Sequence, residues 1–161
     1  LDKTIGDYQT AFDLLFKCAV HTTGLALPHM QKQQWGRIVN VASISVKVPL
    51  NYLALSNSLR AALVSWAKSL AIDIAKDNIT INNTLTGYFD TERIAQLNAQ
   101  KAQKMGIPVS VVRAAMEAAV PINRIGKPEE YANAVCFLVS EQASYITGTN
   151  IPIDGGLLKS L

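Results

Sequence analysis

The sequence predicts an α/β domain built on a parallel sheet, and three observations carry that prediction. Apolar residues at helical spacing alternate with short β-branched runs, and the connections between the runs are much longer than a hairpin. The composition, 49% hydrophobic and 17% charged, suits a packed core rather than a disordered or coiled-coil chain. A chain of 161 residues is one domain's worth of sequence. No internal repeat, low-complexity tract or linker divides it, so residues 1–161 form a single domain in this reading.

The elements follow in order. From Asp7 to Gln33, residues Phe12, Leu15, Phe16, Ala19, Ala26 and Met30 mark one face of a long helix, and Pro28 is expected to bend its last turn. Arg37 to Ala42 is a short buried strand. A second long helix runs from Leu53 to Lys76, with Leu59, Leu63, Trp66, Leu70 and Ile74 on its inner face. Asp77-Asn78 is a turn, and Ile79 to Thr84 is the next strand. Thr91 to Val120 divides into two short helices around Gly106-Ile107-Pro108. Pro128-Glu129-Glu130 opens a further helix that runs to Val139, with proline at its first position and two carboxylates at the positive end of its dipole. Asn150 to Ile153 is the last strand, and Asp154-Gly155-Gly156 turns the chain out.

Several function classes are excluded at this level. The net charge is +3 and the basic residues are scattered, which leaves no nucleic-acid footprint. Lys68 and Asp73 interrupt the most apolar helix, so no membrane span is expected. With no signal peptide visible, the expected location is cytoplasmic. His21 and His29 have no cysteine or acidic cluster beside them, so no metal site is expected. Cys18 and Cys136 fall within apolar helical patterns and are expected to be free, buried thiols. The first residue is Leu rather than Met, which suggests a chain that begins within a longer one.

Specific segments add a resemblance. Leu-Pro-His-Met at Leu27 to Met30, Trp-Gly-Arg-Ile-Val-Asn-Val at Trp35 to Val41 and Ile79-Thr80-Ile81-Asn82 occur in register with Gly87-Tyr88-Phe89-Asp90-Thr91. Arg124-Ile125-Gly126-Lys127-Pro128-Glu129-Glu130, Ile146-Thr147-Gly148 and Asp154-Gly155-Gly156 complete the series. Together they resemble the short-chain dehydrogenase/reductase family, particularly its ketoacyl-reductase-like members. The resemblance implies a Rossmann-type doubly wound sheet, here only its last three strands, and NAD or NADP as cofactor. It also implies a homo-oligomer formed through the two long helices. The Gly-rich loop that holds the pyrophosphate in such folds is not found, because no G-x-G-x-x-G occurs in these residues. By resemblance, residue 1 would follow the family's fourth strand.

The family's chemistry moves a hydride between nicotinamide and a carbonyl or alcohol carbon. A tyrosine is the general acid or base, a lysine lowers its pKa and holds the ribose, a serine orients the substrate oxygen and an asparagine holds a water. A free phenol titrates at about pH 10, so an adjacent cation is required to bring it toward neutrality. Ser43 falls on the serine position, Ser56 on the tyrosine, Arg60 on the lysine and Leu15 on the asparagine. Ser43, Ser56 and Arg60 are therefore the catalytic candidates. Arg60, Gly87, Phe89 and Thr91 are the cofactor-binding candidates, although Thr86 replaces the usual proline before Gly87. An alkyl hydroxyl at Ser56 is too weak an acid for Arg60 alone to activate, and Tyr52 is a displaced phenol that could be offered instead. The readings in play are an oxidoreductase of this family inactive as this chain alone, a non-catalytic pseudoenzyme or oligomerisation fragment, and a haloalcohol dehalogenase-like lyase. The last shares the arginine but also requires the missing tyrosine. If active, the chain would take a small carbonyl or alcohol substrate.

Overall fold

The computed structural model describes residues 3–51 and 53–160. The chain runs α1 (Ile5–Phe12), a π-helical segment (Asp13–Lys17), α2 (Cys18–Gln33), β1 (Gly36–Ser43), α3 (Ala54–Ile74) and β2 (Ile79–Thr86). It continues through α4 (Glu92–Met105), α5 (Val109–Ala118), α6 (Pro128–Leu138) and β3 (Asn150–Ile153). The three strands form a parallel sheet in the order β1-β2-β3, with Gly36 to Ser43 paired residue for residue with Ile79 to Thr86. This is the parallel α/β architecture expected, and it brings Ser43 and Thr86 side by side at the C-terminal end of the sheet.

The first helix starts where Thr4 and Asp7 form a reciprocal cap: Asp7 N–H donates to Thr4 Oγ1 and Thr4 N–H donates to the Asp7 carboxylate. The irregularity in this helix lies at Asp13–Lys17, and α2 continues through Pro28 to Gln33. Gln34 then turns into the left-handed region at φ 51° and ends it.

The core lies between α3 and the sheet. Ala67, Ala71 and Ile74 pack with Ile79 and Ile81, flanked by Leu27, Met30, Ile38, Trp66 and Leu70. Nearer the site, Val64 packs with Ala42 and Leu85. The side of α3 turned to the sheet is Leu63, Val64, Ala67, Ala71 and Ile74. Of the expected stripe, Leu59, Trp66 and Leu70 sit one step round the helix and are only half-buried, with Trp66 edge-on to Phe16 of the π segment. Small alanines face the strands because they allow close helix–sheet approach, while the larger side chains fill the wider space between helices.

β2 is buried from Ile79 to Leu85 although five of its eight residues are polar. Asn83 accepts from the Asn40 amide at 3.0 Å and donates to Asn150 at 2.9 Å, a side-chain ladder across all three strands. Asn82 donates to the Ile146 carbonyl and accepts from Thr149, which ties the loop before β3 to the sheet. These polar groups are tolerated because they are paired.

The cysteine expectation is corrected: Cys18 and Cys136 are free but exposed. In α6 the inward face is Tyr131, Ala134, Val135 and Leu138, and Cys136 lies off that face. An apolar neighbourhood in sequence does not set which side of a helix a residue occupies. Among the described residues no helix is long and apolar enough to cross a membrane.

Candidate functional site

Ser43 ends β1 in an extended conformation and caps the 3-10 turn that follows, its Oγ accepting from the Ser45 N–H at 3.1 Å. This leaves the Ser43 hydroxyl proton available to a ligand oxygen. Ser56 and Arg60 lie four residues apart on α3, so they share one helix face. Arg60 Nε donates to Ser56 Oγ at 3.2 Å, and its Nη1 donates to the Val41 carbonyl at 2.6 Å. Burial pulls the Arg60 guanidinium below its ordinary pKa, and the nearby Tyr131 phenol opposes the shift.

The structure therefore brings Arg60, Ser56 and the end of β1 together. Among the described residues no hydrogen bond joins Ser43 to Ser56 or Arg60. Leu15 lies half-buried within the π segment, and its hydrocarbon side chain offers no atom to hold a water. Tyr52 lies outside the described residues.

The loop after β2 carries Gly87, Phe89 and Thr91. A Cβ on Gly87 would come 2.6 Å from the Asp154 Cα, so only glycine lets this loop approach the turn after β3. Phe89 is buried, bridges Gly126 and packs edge-on against Tyr131 with ring centroids 5.1 Å apart. Thr91 caps α4, its Oγ1 accepting from the Ile94 N–H. Asp90 binds Arg113 through two hydrogen bonds of 2.9 and 2.8 Å, which fixes the loop to α5 and holds the Asp90 carboxyl below its ordinary pKa. Phe89 and Thr91 also line a largely apolar cavity of about 180 Å³, together with Val41, Thr86, Pro128 and Tyr131.

Sequence reasoning missed several members of this region. The Tyr131 hydroxyl hydrogen-bonds Thr84 Oγ1 and accepts from Thr86 Oγ1 at 3.2 Å, while Thr84 donates to the Asn40 carbonyl. Only the position of Tyr131 on the apolar face of α6 signalled that it turns inward. Ser45 Oγ and Asn57 Oδ1 are buried without a hydrogen-bond partner, and no motif marked them. They lie next to the Ser43 turn and at the start of α3.

The family model described as enoyl-(acyl carrier protein) reductase matches residues 1–158. The chain belongs to the short-chain dehydrogenase/reductase family. The 3-oxoacyl-(acyl-carrier-protein) reductase FabG of Aquifex aeolicus is 37% identical over 136 residues, covering 82% of this chain and 49% of that protein. The NADPH-dependent reductase BacG of Bacillus subtilis is 34% identical over 132 residues, covering 82% of this chain and 51% of that protein. The chain thus spans about half the length of these curated relatives. Among solved structures, the L-sorbose reductase of Gluconobacter frateurii complexed with NADPH and L-sorbose superposes with a TM-score of 0.94 at 32% identity, covering 99% of this chain and 61% of that one. Short-chain dehydrogenase/reductase membership makes NAD(P) the cofactor to test against this site. The residues present fit one end of it: Phe89 and Thr91 line a cavity of suitable apolar character, and among the described residues Arg60 commits only Nε and Nη1 to hydrogen bonds.

Proposed function

We propose that these 161 residues form the nicotinamide end of an NAD(P)-dependent oxidoreductase site and do not reduce carbonyls by themselves. The observation that carries this reading is the Arg60 guanidinium, held between Ser56 Oγ and the Val41 carbonyl. The cation that should depress a phenol faces an alkyl hydroxyl instead. When bound, the cofactor supplies or accepts a hydride. Ser43 would donate its hydroxyl proton to a substrate oxygen at the end of β1. Phe89 and Thr91 would bound the ring cavity, while Gly87 sets the height of their loop. Arg60 would supply fixed positive charge and hydrogen-bond donors to a ribose or phosphate oxygen, in a fork geometry unlike that of a lysine ammonium. No group at Ser56 can exchange the proton that carbonyl reduction requires near pH 7. The absence of G-x-G-x-x-G from these residues supports weak cofactor affinity for the chain alone. Fluorescence titration with NADH and with NADPH tests this: little or no saturable binding is expected at micromolar concentration, and tight binding of either would contradict it.

A second reading, self-association, is favoured by one observation. Ile5, Leu14 and Leu25 on the first helical stretch and Ile72 on α3 are 85%, 70%, 65% and 74% exposed. A homodimer through the faces of Asp7–Gln33 and Leu53–Lys76 would involve the segments that carry Leu14, Leu25 and Ile72. Light scattering should report twice the monomer mass at micromolar concentration, and a monomer would exclude it.

A further inference from the structure

Three hydroxyls at the C-terminal end of the sheet have their protons ordered by a backbone acceptor that cannot reverse. Thr84 Oγ1 donates to the Asn40 carbonyl at 3.2 Å. A hydroxyl has one proton and two lone pairs, so the bond between Thr84 Oγ1 and the Tyr131 hydroxyl must use the proton of the phenol. The Tyr131 oxygen in turn accepts from Thr86 Oγ1 at 3.2 Å. The chain therefore runs one way, from Thr86 through Tyr131 and Thr84 to the Asn40 carbonyl. Thr84 is fully buried, while Tyr131 and Thr86 are half-buried. The outer member, Thr86, has its only proton directed inward and keeps lone pairs alone for anything bound beside it.

Ser43 is the complementary case. Its Oγ accepts from the Ser45 N–H at 3.1 Å, and among the described residues it donates no hydrogen bond. Ser43 and Thr86 are Cα partners in the parallel register of β1 and β2. Their side chains leave the sheet on one face, from strands about 5 Å apart, and both residues are half-buried. Thr86 also lines the cavity that holds Phe89 and Thr91. A hydroxyl able to donate and a hydroxyl fixed as an acceptor thus stand side by side at the strand ends.

We propose that this pair selects a carbonyl compound with a hydroxyl on the neighbouring carbon, an α-hydroxy ketone or aldehyde. Ser43 donates to the carbonyl oxygen, and Thr86 accepts from the adjacent hydroxyl. Oxygens on neighbouring carbons can bridge adjacent strands with two hydrogen bonds of ordinary length. A plain ketone leaves Thr86 with no donor, and an ether oxygen at that place faces its lone pairs. Thr86 is then a specificity-determining residue, and Tyr131 is a positioning residue that acts through it. The inference rests on the oxidoreductase reading, which makes Ser43 the substrate-facing hydroxyl, and it adds the substrate class.

Amide NMR of isotopically labelled protein tests it with three ketones. Hydroxyacetone carries the hydroxyl, 2-butanone has a methyl in its place, and methoxyacetone keeps the oxygen without the proton. Hydroxyacetone should shift Ser43, Thr86 and Gly87 saturably. The other two should bind about tenfold more weakly, the scale of one lost hydrogen bond. Thr86→Val keeps the shape and should bring hydroxyacetone down to the level of 2-butanone. Tyr131→Phe returns the Thr86 proton, so it should strengthen methoxyacetone binding, which a mere loosening of the sheet would not do. Equal affinity for hydroxyacetone and 2-butanone would overturn the proposal, as would no saturable shift with any of the three. A preference that survives Thr86→Val would also overturn it. None of these results touches the oxidoreductase reading, which fails instead on NADPH binding or turnover by the chain.

Discussion

Arg60 commits two of its donors to the protein's own atoms, one to Ser56 Oγ and one to the Val41 carbonyl. A guanidinium so held is pre-positioned, and its removal returns the exposed Val41 carbonyl to water. Arg60→Ala should therefore lower stability by about 0.5–1.5 kcal/mol, read from the urea midpoint, whereas Ser56→Ala should cost clearly less. Tyr131→Phe removes the hydroxyl shared by Thr84 and Thr86 and should cost about 1 kcal/mol in the same assay. An unchanged midpoint would show that the threonines find other partners. Gly87→Ala forces a methyl against the Asp154 backbone at 2.6 Å, a clash that no side-chain rotation relieves. It should destabilise by about 1–3 kcal/mol and disturb the loop bearing Phe89 and Thr91.

At the level of elements, α6 is set by its first turn. Glu130 accepts from the Lys127 N–H at 2.7 Å and from Arg124 at 2.6 and 2.7 Å. Arg124 foremost, then the Lys127 N–H, hold its carboxyl down to about 2. The folded pKa is depressed, so this contribution is complete above the unfolded value and is lost as pH falls through about 4.5 toward about 2. Melting temperature should drop across that window, and Glu130→Gln should flatten the drop. Because the pair is exposed, added salt should shrink the effect.

The elements themselves were legible because their periodicities are strong, and the parallel sheet followed from the long crossovers. Three things were not legible. The π segment at Asp13–Lys17 leaves no periodicity signal distinct from a helix. On α3 the expected Leu63 and Ile74 do face the sheet, but so do Ala67 and Ala71, which a search for large apolar residues passes over. The inward turn of Tyr131 depends on hydroxyl partners on β2, far away in sequence. Of the candidate site, motif register singled out Ser43, Ser56, Arg60 and the loop from Gly87 to Thr91. It could not reveal that Arg60 would close onto Val41, nor that Ser45 and Asn57 would leave polar atoms unpaired.

For the whole molecule, β1 stands at one edge of the three-strand order, and its Val41 is 55% exposed. Exposed strand edges and apolar helix faces both favour association. Leu25→Glu with Ile72→Glu should convert a dimer to a monomer in light scattering while leaving the circular dichroism spectrum intact. A dimer that survives both changes would place the interface elsewhere. The family relationship covers nearly the whole chain, yet the proposed lack of activity rests on the alkyl hydroxyl at Ser56 and on the absence of G-x-G-x-x-G from these residues. The most direct test is NADPH oxidation by the purified chain across a set of small ketones, monitored by loss of reduced-cofactor absorbance. The rate should equal that of the protein-free control. Turnover above that control, abolished by Ser43→Ala or Arg60→Ala, would contradict the account.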